Sequence, residues 1–320
     1  MEVLEPLLLD GFNLKFMRMK KLSFLAALCV ALFSCSSGGG EEPDVPNPSK
    51  PDKPNVQLPI NINTAITRAT ETAFESGDKV GLFVVNRNAD GSYQALKTTG
   101  NYVDNMQYTY SSTWTPATPV YWKDDKTNAD FYLYYPYRSS LPSVNDMPFS
   151  VEVDQSTVES YKAGDLLVGA TYNVVPTVSA VNIQAKHLMS QMAIVLKAGD
   201  GFTEASLAAS NISVSINNLR TSATVDLASS AVKAVGSATS VKPYKDGSVY
   251  RAIVVPQEVA QGNLITVNVN GRDFNLVKAF TFVSGKRNTF TVTLSKTSSG
   301  VNVTIGAWED NGIDNGGTAS

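Results

Sequence analysis

The chain has 320 residues, only 17% of them charged, and 26 Lys and Arg against 29 Asp and Glu give a net charge of −3. That balance argues against a basic nucleic-acid footprint, so no nucleic-acid partner is expected. One histidine and two cysteines exclude a multi-disulfide scaffold and a His- or Cys-rich metal site.

The chain opens with Met1 to Arg18, which reads as an over-extended start and is set aside. Met19-Lys20-Lys21 is basic, and Leu22 to Phe33 is an apolar run of twelve interrupted only by Ser23. A short positive region, a short apolar region and small residues make a secretory signal. Twelve residues rise about 18 Å as a helix, too short for a hydrocarbon core of about 30 Å. Leu32-Phe33-Ser34-Cys35 resembles a bacterial lipobox, in which the cysteine becomes the first mature residue and carries lipid. Residues 1–34 are therefore expected to be removed, and Cys35 is the expected lipidation site. The alternative is an ordinary cleaved signal with a stray cysteine. Ser36 to Glu42 is rich in Ser and Gly, and Pro43, Pro46, Pro48, Pro51 and Pro54 follow. Residues 35–55 read as a tether, flexible where Gly and Ser dominate and extended where Pro does.

In Val56 to Arg68, Val56, Leu58, Ile60 and Ile62 alternate with Gln57, Pro59, Asn61 and Asn63. This period of two predicts a strand, and Pro59 confines it to an edge or a bulge. Further strands are predicted at Val80–Val85, Phe131–Tyr135, Val151/Val153, Leu166–Val168, Met192–Leu196, Ile212–Ile216, Ala223–Leu227 and Val249–Val255. The strongest local signal is Leu264–Val269, then Asn270-Gly271, then Arg272–Leu276. Both central residues of such a tight hairpin take positive φ, which Asn and Gly tolerate. Phe280/Phe282, Phe290/Val292/Leu294 and Val301/Val303/Ile305 continue the series. Thr203 to Ala209 is the one short helix candidate. Many short strands at roughly ten-residue spacing predict an all-β sandwich. Their number predicts two in tandem, at 56–178 and 179–320, divided in the Pro/Ser/Thr stretch near Pro176 to Ala180.

The chemistry of catalysis is sparse. His187 is the sole histidine and sits beside Leu188 and Met189, so it reads as structural, and no Ser-His-Asp or Cys-His set is available. No phosphate-cradling glycine loop appears, and nothing calls for a cofactor. Asp124, Asp125, Asn128 and Asp130 could offer oxygen ligands to calcium, but without EF-hand spacing they read as a polar turn. Glu152 and Asp154 could act as paired carboxylates, or simply form a solvated strand face. No enzyme and no metal are expected. Tyr102, Tyr108, Tyr110, Trp114, Tyr121, Trp122, Phe131, Tyr132, Tyr134, Tyr135 and Tyr137 crowd the first half. They pack across strands, or form a stacking platform that would make the chain a lipid-anchored glycan-binding protein.

Five segments in order carry a resemblance: Phe74–Phe83; Pro119-Val120-Tyr121-Trp122 with Ala129–Tyr137; His187-Leu188-Met189-Ser190; Tyr250–Gln257; and Ile305-Gly306-Ala307-Trp308. Behind a lipobox, they resemble the fimbrillin (Mfa-like) family of type V pilus subunits of Gram-negative bacteria. The resemblance implies two transthyretin-like (Greek-key) β-sandwich domains and a structural fimbrial subunit or tip adhesin. It implies export as an outer-membrane lipoprotein to the cell surface, and cleavage after an arginine by an arginine-specific protease. It implies loss of the first strand, whose groove takes a strand from another subunit. The implied cleavage lies between Arg68 and Ala69, directly after the predicted edge strand. Val301, Val303 and Ile305 form a candidate donor strand; the other reading makes them the last strand of their own domain. Host or bacterial surface ligands would be further partners.

Overall fold

The computed structural model describes residues 57–67, 73–297 and 300–305. Cys35, the tether, Arg68, Ala69 and Trp308 lie outside the described residues.

In chain order the first half contributes β1 (Ile62–Thr67), β2 (Lys79–Asn86), β3 (Val103–Tyr110), β4 (Trp114–Pro116), β5 (Ala129–Tyr135), β6 (Met147–Ser150), α1 (Val158–Ala163), β7 (Leu167–Val174) and β8 (Val181–His187). The second half contributes β9 (Ser190–Ala198), α2 (Glu204–Ala208), β10 (Ile212–Asp226), β11 (Ala231–Val241), β12 (Tyr244–Asp246), β13 (Val249–Val254), β14 (Gln257–Val259), β15 (Asn263–Val269), β16 (Arg272–Val277), β17 (Phe280–Phe282), β18 (Arg287–Thr297) and β19 (Gly300–Ile305). The all-β expectation holds, and the two helices are short. Each starts on a threonine, Thr157 or Thr203, whose side chain accepts from the backbone N–H three residues on while a serine there reaches back.

The first sheet has the order β1-β8-β7-β5-β2-β3-β4. Its central strands are buried on both faces, which explains their unbroken apolar runs. Val80, Leu82 and Val84 face one core with Phe131 and Leu133, and Phe83 and Val85 face another with Tyr132 and Tyr134. Gly81 makes this possible: a Cβ there would sit 2.1 Å from the Tyr134 ring. The second half builds one sheet in the order β11-β10-β15-β16, with β6 also paired to β10, and another in the order β12-β13-β9-β18-β19. The Asn270-Gly271 hairpin forms as expected, with φ of 51° and 84°.

Four expectations are corrected. The division at 178/179 falls between β7 and β8, which pair in one sheet at Leu167–His187 and Gly169–Ala185, so the first sheet runs on to His187. The strand expected at Val151/Val153 ends at Ser150, and Val153 turns outward. Ile212–Ile216 and Ala223–Leu227 are one strand, β10, bent by bulges around Asn218, whose φ is 62°. Each bulge adds residues on one strand and so shifts which side chains face inward. Val214, Ile216 and Leu219 consequently enter the core of the second half, whereas Ala223 and Val225 join Phe83, Tyr132 and Phe149. Glu152 and Asp154 do not share a strand face, because no strand covers them.

Candidate assembly interface

The N-terminal strand begins before β1 proper. From Gln57 to Ile66, inward and outward residues alternate without a break: Ile60 and Ile62 are buried, Leu58, Thr64 and Ile66 are half-buried, and the intervening residues are exposed. The segment is tied on one side over β1 and on the other just ahead of it. On one side β1 runs parallel to β8, from Ile62 opposite Val181 to Thr67 opposite Lys186. On the other, Ile60 N donates to Val120 O and Trp122 N donates to Leu58 O, both at 2.8 Å. Pro59, which has no N–H to donate, sits between these bonds opposite Tyr121. Two side chains from the groove floor reach up: Tyr108 Oη donates to Ile60 O at 3.1 Å, and Trp114 Nε1 donates to Thr64 Oγ1 at 2.9 Å.

The groove beneath is apolar. Ile60 and Ile62 pack in one cluster with Tyr108, Trp114, Val181 and Ile183. Burying two such aliphatic side chains is worth about 3–6 kcal/mol. Without the strand, β8 would present a row of unpaired backbone groups above open apolar pockets, the arrangement that templates addition of another strand.

At the far end of the chain, β19 lies at the edge of its sheet, antiparallel to β18. Val301 stands opposite Lys296, Val303 opposite Leu294 and Ile305 opposite Val292. Leu294 and Val292 are buried core residues of the second half. Within this chain, then, the candidate donor strand closes its own sheet.

The other candidate residues are scattered. His187 Nδ1 lies 2.7 Å from Asp165 Oδ1, joining the end of β8 to the start of β7. Asp124 accepts from the Lys126 and Thr127 amides and the Thr127 hydroxyl, which hold its carboxyl below the usual range, so it caps a polar turn. Asp130 is instead buried, its Oδ1 accepting from Arg87 Nε at 2.8 Å and Asn173 N at 2.6 Å. Asn128 pairs with Asn173, and Asp154 with Lys242. Among the described residues no three His, Cys, Asp or Glu side chains converge.

Most of the aromatic series packs across strands. Phe74, Tyr110, Trp114 and Tyr135 form one ring cluster and Trp122 stacks edge-on with Phe131. Burial pushes the Tyr132 and Tyr134 phenols up to about 12, and those of Tyr108 and Tyr135 further. Tyr102 and Tyr121 stay exposed, as do Tyr93 and Tyr172, which the sequence pattern did not single out.

The described body is all-β, with its first strand held in an apolar groove and β19 at the edge of its sheet. The chain belongs to the fimbrillin-like family, whose model matches residues 67–308. It is 28% identical over 305 residues to a Bacteroides uniformis protein assigned as fimbrium subunit Fim1C, covering 91% of this chain and 96% of that one. It is 25% identical over 211 residues to a Bacteroides ovatus protein assigned as fimbrium tip subunit Fim1C, covering 56% of this chain and 36% of the relative. Among solved structures it resembles a Bacteroides uniformis protein assigned to cell adhesion, with TM-score 0.59, 25% identity, and 78% and 97% of the two chains covered. A Bacteroides ovatus structure with TM-score 0.61 and 17% identity, covering 78% of this chain and 96% of the other, shares the fold.

Proposed function

We propose that this chain is a structural subunit or tip adhesin of a cell-surface fimbrium. In this reading it is exported as a lipoprotein on Cys35 and held at the outer membrane. An arginine-specific protease then cuts between Arg68 and Ala69, the N-terminal strand leaves, and a strand from another subunit fills the groove. The observation that supports this best is the unbroken inward–outward alternation from Gln57 to Ile66, bonded to β8 from Ile62 onward and to Val120 and Trp122 at Leu58 and Ile60, with Arg68 following the last residue of β1. A replacement strand must repeat that alternation, since only apolar residues at every second position fill the same pockets. Val301, Val303 and Ile305 have that spacing, and we read them as the donor. The relatives' names, fimbrium subunit and fimbrium tip subunit, agree with a structural rather than a catalytic role.

Mass spectrometry of the surface protein tests this reading. An N-terminus at Ala69 in fibres, and an unpolymerised Arg68→Ala protein that keeps lipidated Cys35, are the expected results. Normal fibres from Arg68→Ala would overturn it.

A further inference from the structure

A second surface feature owes nothing to strand exchange. Where β2 ends, the chain runs through residues 87–102 before β3 begins. This segment and the region around Lys123 wall a cleft of about 300 Å³, lined among others by Asn86, Gln94, Lys97, Tyr102 and Lys123. That volume is at the small end of small-molecule pockets.

The cleft wall is held in shape by its own hydrogen bonds. Asn101 Oδ1 accepts from Lys97 N at 3.0 Å, and its Nδ2 donates to Lys97 O at 2.7 Å and Asp104 Oδ1 at 2.6 Å. The Asp104 carboxylate also accepts from the amides of Gly100 and Asn101. Leu96 is buried beneath the segment and anchors it to the core. Tyr102 is 41% exposed, yet its Oη donates to Tyr121 O at 2.9 Å, so the ring is fixed while part of it stays open.

The polar groups around this ring keep their hydrogen-bonding capacity. The side chains of Asn86, Gln94, Lys97 and Lys123 make no hydrogen bond or ion pair among the described residues. The lining holds two ammonium groups and no carboxylate. Of the nearby acids, Asp104 is committed to loop amides; Asp124 accepts from its own turn and keeps its charge, which acts on both Lys123 and the Tyr102 phenol, so Lys97 is the lining cation without a neighbouring acid of this kind.

We infer that this cleft is a binding site for an acidic saccharide, one carrying a carboxylate or sulfate. A sugar ring has a C–H face, weakly positive at its hydrogens, that matches the negative face of an aromatic ring. Its hydroxyls both donate and accept, as the Asn86 and Gln94 amides do. Lys97 and Lys123 supply point charges for the anionic group. A preformed wall lowers the ordering cost of binding. The inference is independent of the assembly reading, because the unpolymerised precursor carries the same cleft.

The test is calorimetric titration of the full chain. 3′-Sialyllactose and a chondroitin sulfate tetrasaccharide serve as acidic probes, lactose and cellotriose as uncharged ones, and a hexaglutamate peptide as a non-saccharide anion. The acidic sugars are expected to bind, more weakly as salt is raised, and the other probes to bind much less. Lys97→Gln with Lys123→Gln is expected to weaken binding about tenfold or more, the loss of one or two charged contacts. Tyr102→Leu is expected to weaken it as well, and Tyr93→Ala to leave it unchanged. Thermal unfolding shows that each variant is folded, and the lysine pair, both exposed, keeps the test valid should Tyr102→Leu fail to fold. The inference is overturned if no sugar binds, if uncharged sugars or hexaglutamate bind as tightly, or if the lysine variant binds like the parent.

Discussion

Gln155 has no solvent exposure and does the work of a missing strand. β12 covers the outer edge of β13 only as far as Arg251. Beyond it, Gln155 Oε1 accepts from Ile253 N at 2.8 Å, and its Nε2 donates to Ile253 O at 2.9 Å and Glu152 O at 3.0 Å. A Gln155→Leu chain keeps the volume and strands the backbone N–H and C=O of Ile253 in the core. We expect a loss of about 2–5 kcal/mol, read as a lower midpoint in urea; an unchanged midpoint would mean the groups find other partners. The buried phenols make a second prediction. Those of Tyr132 and Tyr134 rise from the usual 10 to about 12 through burial. A pKa raised by folding contributes stability fully present below the unfolded value and lost as pH climbs through the folded one. Stability should therefore hold to about pH 10 and fall between pH 10 and 12. Absorbance at 295 nm should show the exposed tyrosines ionising first and the buried group only as the fold is lost.

At the scale of elements, the N-terminal strand is the one whose removal can be imitated. A chain starting at Ala73, mixed with a peptide of residues 56–67, recreates the groove and its native occupant. The peptide should bind with an affinity measurable by fluorescence anisotropy, and Ile60→Asp with Ile62→Asp in the peptide should abolish binding. Those two positions are buried and worth about 3–6 kcal/mol together, or two to four orders of magnitude in affinity. Equal binding by both peptides would place the energy in the backbone ladder alone. This strand was legible in sequence because its period of two is exposed on one side only. The Asn270-Gly271 hairpin and the Thr203 helix start were legible for the same local reasons. β11 was not: seven of its eleven residues are exposed, and its alternation is short, with Val232 and Ala234 only partly buried against the core. β3 was hidden by polar residues and an irregular register beside Asn105, whose φ is 43°. The unity of β10 was hidden because its bulges change which face is apolar. The saccharide cleft was legible only as Tyr102, since Asn86, Gln94 and Lys97 meet it through a fold of the chain that no spacing announces.

At the scale of the molecule, β10 decides whether the halves behave as one. Its N-terminal part pairs with β15 from Ile212 to Ile216, and its C-terminal part pairs with β6 from Ser222 to Val225. Met147 and Phe149 of β6 join the core that contains Phe83 and Tyr132, together with Val225 and Ile253 from the second half. The described residues accordingly fall within one compact unit. A strand that serves two cores cannot be lost from one without uncovering the other, so unfolding should be cooperative across both. Ile216→Ala tests this, because Ile216 is fully buried in the second-half cluster, which contains no tryptophan. Trp114 and Trp122 report on the first sheet, once Trp308 is replaced by Phe. The cavity should cost about 2–5 kcal/mol. If the halves are coupled, tryptophan fluorescence and far-ultraviolet circular dichroism fall together at the same lowered midpoint. If they are independent, the fluorescence midpoint stays where it was while the dichroism transition splits, and the shared strand would then be a contact rather than a coupling.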